Sequence, residues 1–256
     1  MPDLEIVLLL CAAAAFAGWF DAVVGGGGLV QLPALLVFLP GASPAQVLAT
    51  NKLSSVFGTS AAAATYYRRV RPDLRTALPM AGIALVGSAG GASLASVMSA
   101  EVFRPVVLVL LVLVAAYVLV RPELGGKQVL RWSGHRHHLA AGIGGLSIGF
   151  YDGIFGPGTG TFLVILLVAL LGYSFLQASA KARIVNLATN IGALLVFIPQ
   201  GAPLWRVGLL MGLCNIAGGW LGARTAIRRG SRFVRVVFLA VVAALVLRLA
   251  YDVIAG

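Results

Sequence analysis

Charge is what this chain has least of. Only 11% of its 256 residues are Asp, Glu, Lys or Arg, against about 25% in ordinary soluble domains. Hydrophobic residues make up 60% and mean hydropathy is +0.98, so there is too little polar surface for a water-soluble globule. Acids are scarcer still, eight against 19 bases. In a soluble chain a +11 balance would point to nucleic acid. Here the bases sit in short loops between apolar runs, the positive-inside pattern of a membrane protein, which argues against a nucleic-acid partner. Cysteine is nearly absent: Cys11 and Cys214 lie inside apolar stretches and read as small packing residues. Histidine is limited to His135, His137 and His138, with no Cys or carboxylate cluster beside them, so a solvated loop is expected and no metal site. No Gly-Lys-Ser/Thr follows the glycine runs, and no Gly-x-Ser-x-Gly or His-Glu-x-x-His occurs. The opening Met1-Pro2-Asp3-Leu4-Glu5 lacks a basic region, so the first apolar stretch is expected to be a retained helix. No cofactor is indicated.

Long apolar runs are what the chain does have. They predict an all-α membrane protein and exclude a barrel, which would show short alternating segments. Ten elements are expected: 4–24, 29–39, 44–67, 76–99, 102–120, 139–155, 161–171, 175–199, 204–227 and 233–254. Two of them, 29–39 and 161–171, have 11 residues each. At 1.5 Å per residue each reaches about 16 Å, roughly half of a hydrocarbon core. The expectation is therefore about eight transmembrane helices plus two short re-entrant or broken half-helices.

The two half-length elements occupy equivalent places in an internal repeat. Gly18, Phe20, Asp21, Gly25 and Gly27 answer to Gly149, Tyr151, Asp152, Gly156 and Gly158 at a constant offset of 131. The offset holds through Ser43/Ser174, Gln46/Gln177, Lys52/Arg183, Pro72/Pro203, Met80/Met211 and Gly91/Gly222. Two copies of one unit, each broken by a glycine cluster beside an acid, are the mark of a secondary transporter. The expected division is a first repeat over 1–120, a cytoplasmic linker over 121–138 and a second repeat over 139–256. Basic clusters at Arg68–Arg75, Arg121–Arg136 and Arg224–Arg235 mark cytoplasmic loops. The loops equivalent to the first and third carry one base each, so equivalent loops lie on opposite sides. The repeat is expected to be inverted, with both termini outside.

Intramembrane charges mark function by default. Lys52 and Arg183 lie eight residues into their segments, about 12 Å deep, and enter from opposite faces. Lys181 is a third base or an entrance residue. The clusters Gly25–Gly28 and Gly156–Gly160 allow tight reversals and would aim two half-helix N-termini at mid-membrane; otherwise they only permit close helix packing. The expected substrate-binding set is Lys52, Arg183, Lys181, Asn51, Asn186 and Asn190, with Gly26, Gly27 and Gly28 from the first cluster and Gly158, Thr159 and Gly160 from the second. Asp21 and Asp152 serve charge pairing with the two bases or coupling to a proton or cation.

The stretches Gly18-Trp19-Phe20-Asp21-Ala22-Val23-Val24-Gly25-Gly26-Gly27-Gly28-Leu29, Ala49-Thr50-Asn51-Lys52-Leu53 and Gly149-Phe150-Tyr151-Asp152-Gly153-Ile154-Phe155-Gly156-Pro157-Gly158-Thr159-Gly160 resemble the sulfite exporter TauE/SafE family over nearly the whole chain. The resemblance implies a multi-pass plasma-membrane transporter of small sulfur-containing anions such as sulfite, thiosulfate or an organosulfonate. In the second half, Lys181-Ala182-Arg183-Ile184-Val185-Asn186 departs from the pattern, so Lys181 and Arg183 both stand as the working base. Two readings of other kinds remain: an intramembrane enzyme using an Asp21/Asp152 carboxylate pair, and a passive anion channel or subunit of a larger transport complex. Substrate identity, direction, coupling ion and oligomeric state are not written in the sequence.

Overall fold

The structure, a computed structural model, describes residues 3–96 and 130–255, with backbone alone at 231, 235 and after 237. The element expected at 102–120 lies outside the described residues. Every described element is helical. Helix α1 spans Leu4–Val24, α2 Gly27–Phe38, α3 Pro44–Val70 and α4 Leu74–Ala95. Helix α5 spans Gly134–Ile154, α6 Thr159–Ile165 with a π-helical turn Leu166–Leu170, α7 Phe175–Phe197 and α8 Trp205–Ala255. Among the described residues α1, α4 and α7 are long and apolar enough to cross a membrane.

Local chemistry sets these boundaries. Ser43 opens α3 with a capping box: its hydroxyl accepts from the Gln46 N–H and the Gln46 side chain accepts from the Ser43 N–H. Ser174 opens α7 as a simpler cap, its hydroxyl accepting from the Gln177 N–H at 3.5 Å. Asp73 caps α4, accepting from the Arg75 N–H at 2.9 Å. Gly25 ends α1 at φ +102, a left-handed conformation that glycine adopts without a Cβ penalty. Gly230 breaks α8 at φ +74 and ψ −175, which separates the elements expected at 204–227 and 233–254. Helix α5 starts at Gly134, five residues before the expected position. Its first turn is polar and carries the histidines, so an apolar pattern alone starts it too late.

The half-helices are short, as their length predicts. Helix α2 has 12 residues, and α6 with its π-turn has seven and five. At 1.5 Å each, both reach about 18 Å.

Packing interleaves the two halves of the chain. Helix α1 packs on α8, and α5 on α4. Close approach is through glycine. A Cβ on Gly218 would strike the backbone of Ala15 and Trp19, and one on Gly222 the backbone of Trp19. One on Gly87 would strike Leu146 and Phe150, and one on Gly91 would strike Phe150. Each contact in the second set is the first shifted by 131 residues, and in both the paired helices run parallel. The buried apolar residues form two clusters that exchange under the same shift: Leu32, Ala49, Phe197 and Met211 belong to one, and Leu163, Ala180, Tyr66 and Met80 to the other.

Candidate functional site

Both glycine turns come together. The Thr161 N–H donates to the Gly25 carbonyl at 3.0 Å and its hydroxyl to the Val24 carbonyl at 3.3 Å. A Cβ on Gly28 would lie 3.2 Å from the Gly156 carbonyl oxygen. The backbone of one turn thus rests on that of the other, an approach that side chains would block. Gly158, at φ +76, caps α6, while Gly26 caps α2 against the Phe20 ring.

A small cavity lies at this junction, about 20 Å³, the room of one water. Asp21, Gly27, Gly28, Asn51, Lys52, Asp152, Thr159, Gly160, Asn186 and Asn190 line it among the expected residues. Arg183 reaches its wall: the Nη2 atom lies 2.9 Å from where a Cβ on Gly160 would stand. Lys52, Asp152 and Arg183 are at most 1% exposed.

Each buried base meets an acid from the other half of the chain. Lys52 Nζ lies 2.6 Å from Asp152 Oδ2, and Arg183 Nη1 donates to Asp21 Oδ2 at 2.6 Å. The second oxygen of each acid is also engaged. Asp152 Oδ1 accepts from the Thr159 hydroxyl at 2.6 Å, and Asp21 Oδ1 from the Gly27 N–H at 3.2 Å. Two charges of each sign sum to zero. Such pairing offsets the desolvation that a lone buried ion would suffer. Not every polar atom is satisfied, however. Arg183 Nε and Nη2, Asn51 Oδ1 and Asn190 Nδ2 are buried without a hydrogen-bond partner. Native interiors leave few such atoms, so a set of them around one cavity calls for a physical account.

Lys181 is not part of this cavity. Its ammonium donates to the Asp73 carbonyl at 2.5 Å, stands 3.8 Å from the Asp73 carboxylate and lies 4.6 Å above the Tyr173 ring. Burial would raise the Asp73 carboxyl, but the Arg75 N–H, the Lys181 charge and the Thr76 hydroxyl outweigh it and hold it below its ordinary value. His137 belongs to the same cluster, with Nε2 3.1 Å from both the Thr76 and Tyr173 hydroxyls. It is buried, which corrects the expectation of a solvated histidine loop: the helical first turn of α5 carries it inward. Among the described residues no group of His, Cys, Asp or Glu could hold a metal ion.

Thr59 and Asn215 also line the cavity and were not expected there. Thr59 is the repeat equivalent of Asn190, so the offset could have found it. Asn215 answers to Ala84, and no repeat signal marks it. It donates to the Ser54 hydroxyl at 3.2 Å, which in turn accepts from Gln31 at 2.8 Å. This polar string has no counterpart in the second half, where Phe162 and Val185 replace Gln31 and Ser54.

A family model described as Sulfite exporter TauE/SafE matches residues 10–249. The chain is 38% identical over 258 residues to the probable membrane transporter protein ORF9 of Sinorhizobium sp, covering 98% of this chain and 96% of that one. It is 35% identical over 245 residues to the probable membrane transporter protein YfcA of Escherichia coli (strain K12), covering 95% and 89%. A probable membrane transporter protein of Haemophilus influenzae is 30% identical over 253 residues, covering 97% and 96%. No solved structure matches.

Proposed function

The chain belongs to the sulfite exporter TauE/SafE family, and from that premise we propose that it is a secondary transporter moving small sulfur-containing anions across the plasma membrane. Membership makes it a multi-pass membrane protein of a transporter family. The finer reading is alternating access about a midplane anion site. The substrate class is sulfite, thiosulfate or an organosulfonate.

One observation carries the site. The Arg183 guanidinium is buried at the junction of two glycine turns, with Nε and Nη2 unpartnered. These two donors form one edge of the planar fork, the geometry that takes an oxyanion through two parallel hydrogen bonds. Asn190 Nδ2 is a further free donor beside the same cavity. Lys52 supplies a second cation when the substrate takes over from Asp152. The cavity is smaller than any sulfur oxyanion, so loading requires the surrounding helices to part, as alternating access demands.

The inverted repeat is part of this reading. The exchange of helix contacts and of the two apolar clusters under the 131-residue shift supports it. Two units over 1–120 and 139–256, joined by a linker over 121–138, would rock against each other about the fixed site, with both termini outside.

Thermal melting of the purified protein in detergent tests the reading against sulfite, sulfate, thiosulfate, sulfoacetate, taurine and chloride. A ligand at 100 times its dissociation constant stabilises by about 2.7 kcal/mol. A selective shift with one sulfur anion, lost in Lys52→Ala or Arg183→Ala, is expected. Equal response to every anion, or to none, would refute the site.

A further inference from the structure

The two repeat-equivalent ion pairs differ in one chemical respect. Arg183 holds Asp21, and Lys52 holds Asp152. The site is already neutral, so an added monoanion would leave a net negative charge in a buried place, which desolvation opposes. A proton bound together with the anion removes that obstacle. We propose that Asp152 is the proton carrier: each monoanion is bound with one proton, which is placed on the Asp152 carboxylate. This rests on the anion-site reading given above and adds the coupling ion and its seat.

The choice between the acids follows from their partners. Arginine stays charged at any working pH and presents a rigid fork. Asp21 takes one Arg183 N–H and the Gly27 N–H, two groups that can only donate, and the pair stays in place as an anchor. Asp152 faces a lysine, a mobile point charge on a flexible stem. Its other oxygen accepts from the Thr159 hydroxyl, which can equally accept. When Asp152 is protonated, Lys52 loses its counter-ion and the incoming anion replaces it. Among the described residues the groups facing Asp152 are Lys52 on α3, Thr159 on α6 and Tyr151 on its own helix, whose hydroxyl donates to the Pro157 carbonyl. Helix α4 meets α5 here through Ser88, against Gly153. Asp21 on α1 lines the same cavity as Lys52 and Asp152, and on α7 Arg183 is paired with Asp21. The proton balance is simple. A proton from water on the loading side converts carboxylate to carboxylic acid, and it leaves with the anion on the other side.

The test uses probes whose own charge does not change between pH 5.5 and 8, methanesulfonate as monoanion and thiosulfate as dianion. Binding to the purified full chain is measured by calorimetry in buffers of different ionisation enthalpy, which reads the protons taken up. The wild type is expected to take up about one proton per methanesulfonate and to lose affinity about tenfold per pH unit on the alkaline side. Asp152→Asn is expected to bind at a pH-independent affinity without proton uptake. Wild-type binding without proton uptake overturns the coupling and leaves the anion site standing. Uptake that persists in Asp152→Asn overturns the assignment to Asp152. Failure of both probes to bind at any pH removes the anion site itself. Should Asp152→Asn fail to fold, the wild-type proton count still decides the coupling.

Discussion

Removing one member of the Lys52–Asp152 pair should hurt far more than removing both. The two side chains are 1% and 2% exposed, with 2.6 Å between Nζ and Oδ2. Lys52→Met keeps most of the stem volume but strands the carboxylate, leaving only the Thr159 hydroxyl on Oδ1. Breaking a buried pair from one side costs about 3–5 kcal/mol, because an uncompensated charge remains in low dielectric. Asp152→Asn strands the ammonium and should cost a similar amount. The double variant Lys52→Met/Asp152→Asn has no buried charge, and neutral replacements of buried pairs are often close to wild type. It should lie within about 1–2 kcal/mol of wild type, a coupling of several kcal/mol for residues in contact. Unfolding of the four proteins in detergent, followed by helix signal, gives the cycle. A double variant as unstable as the sum of the singles would refute the reasoning, since the pair would then contribute nothing as a pair. The double variant should fold without transporting, which separates the stability role of the charges from their functional one.

Other outcomes follow from the same geometry. Gly218→Ala and Gly87→Ala put a Cβ onto the backbone of the facing helix, so each should destabilise by about 1–3 kcal/mol. Gly82→Ala, with open space around it, should be neutral or slightly stabilising. Melting curves of the three proteins make the comparison, and equal shifts would contradict the interleaved packing. Asp73→Asn keeps the α4 cap acceptor, so at neutral pH it should destabilise only through the lost charge facing Lys181, by less than about 1 kcal/mol at this half-exposed position. The folded Asp73 carboxyl is held below its ordinary value, so its contribution is present above about pH 4 and fades as pH falls through the folded value. The gap in melting temperature between wild type and Asp73→Asn should therefore close in acid. Ser43→Ala breaks the α3 capping box and should cost about 1 kcal/mol, read as a lower melting temperature.

Much of the helical plan was legible because membrane helices must be long and apolar. Helix α1 falls at the expected residues, and α3 and α7 start where Pro44 and Phe175 were placed, each behind a serine cap. The α5 start lies before the apolar pattern because its first turn carries polar histidines, and hydropathy cannot separate a polar helical turn from a loop. For the same reason the sequence pattern puts His137 in solvent, and only the fold brings Thr76 and Tyr173 to it. Asn215 carries no mark in one dimension beyond being polar in an apolar segment, whereas Thr59 is marked by its repeat equivalent Asn190.

Sequence by itself determined the membrane class, the half-length elements, the 131-residue repeat and the buried charges, because each is a property of local composition or of spacing along the chain. Tertiary structure alone decided who meets whom. It joins Lys52 to Asp152 and Arg183 to Asp21, across 100 and 162 residues of chain. It also sends Lys181, two residues from Arg183, to Asp73 instead of the cavity. Two positions in a helix differ by about 200° in direction, so neighbours in sequence face different partners, and which partner stands there is set by how distant helices pack.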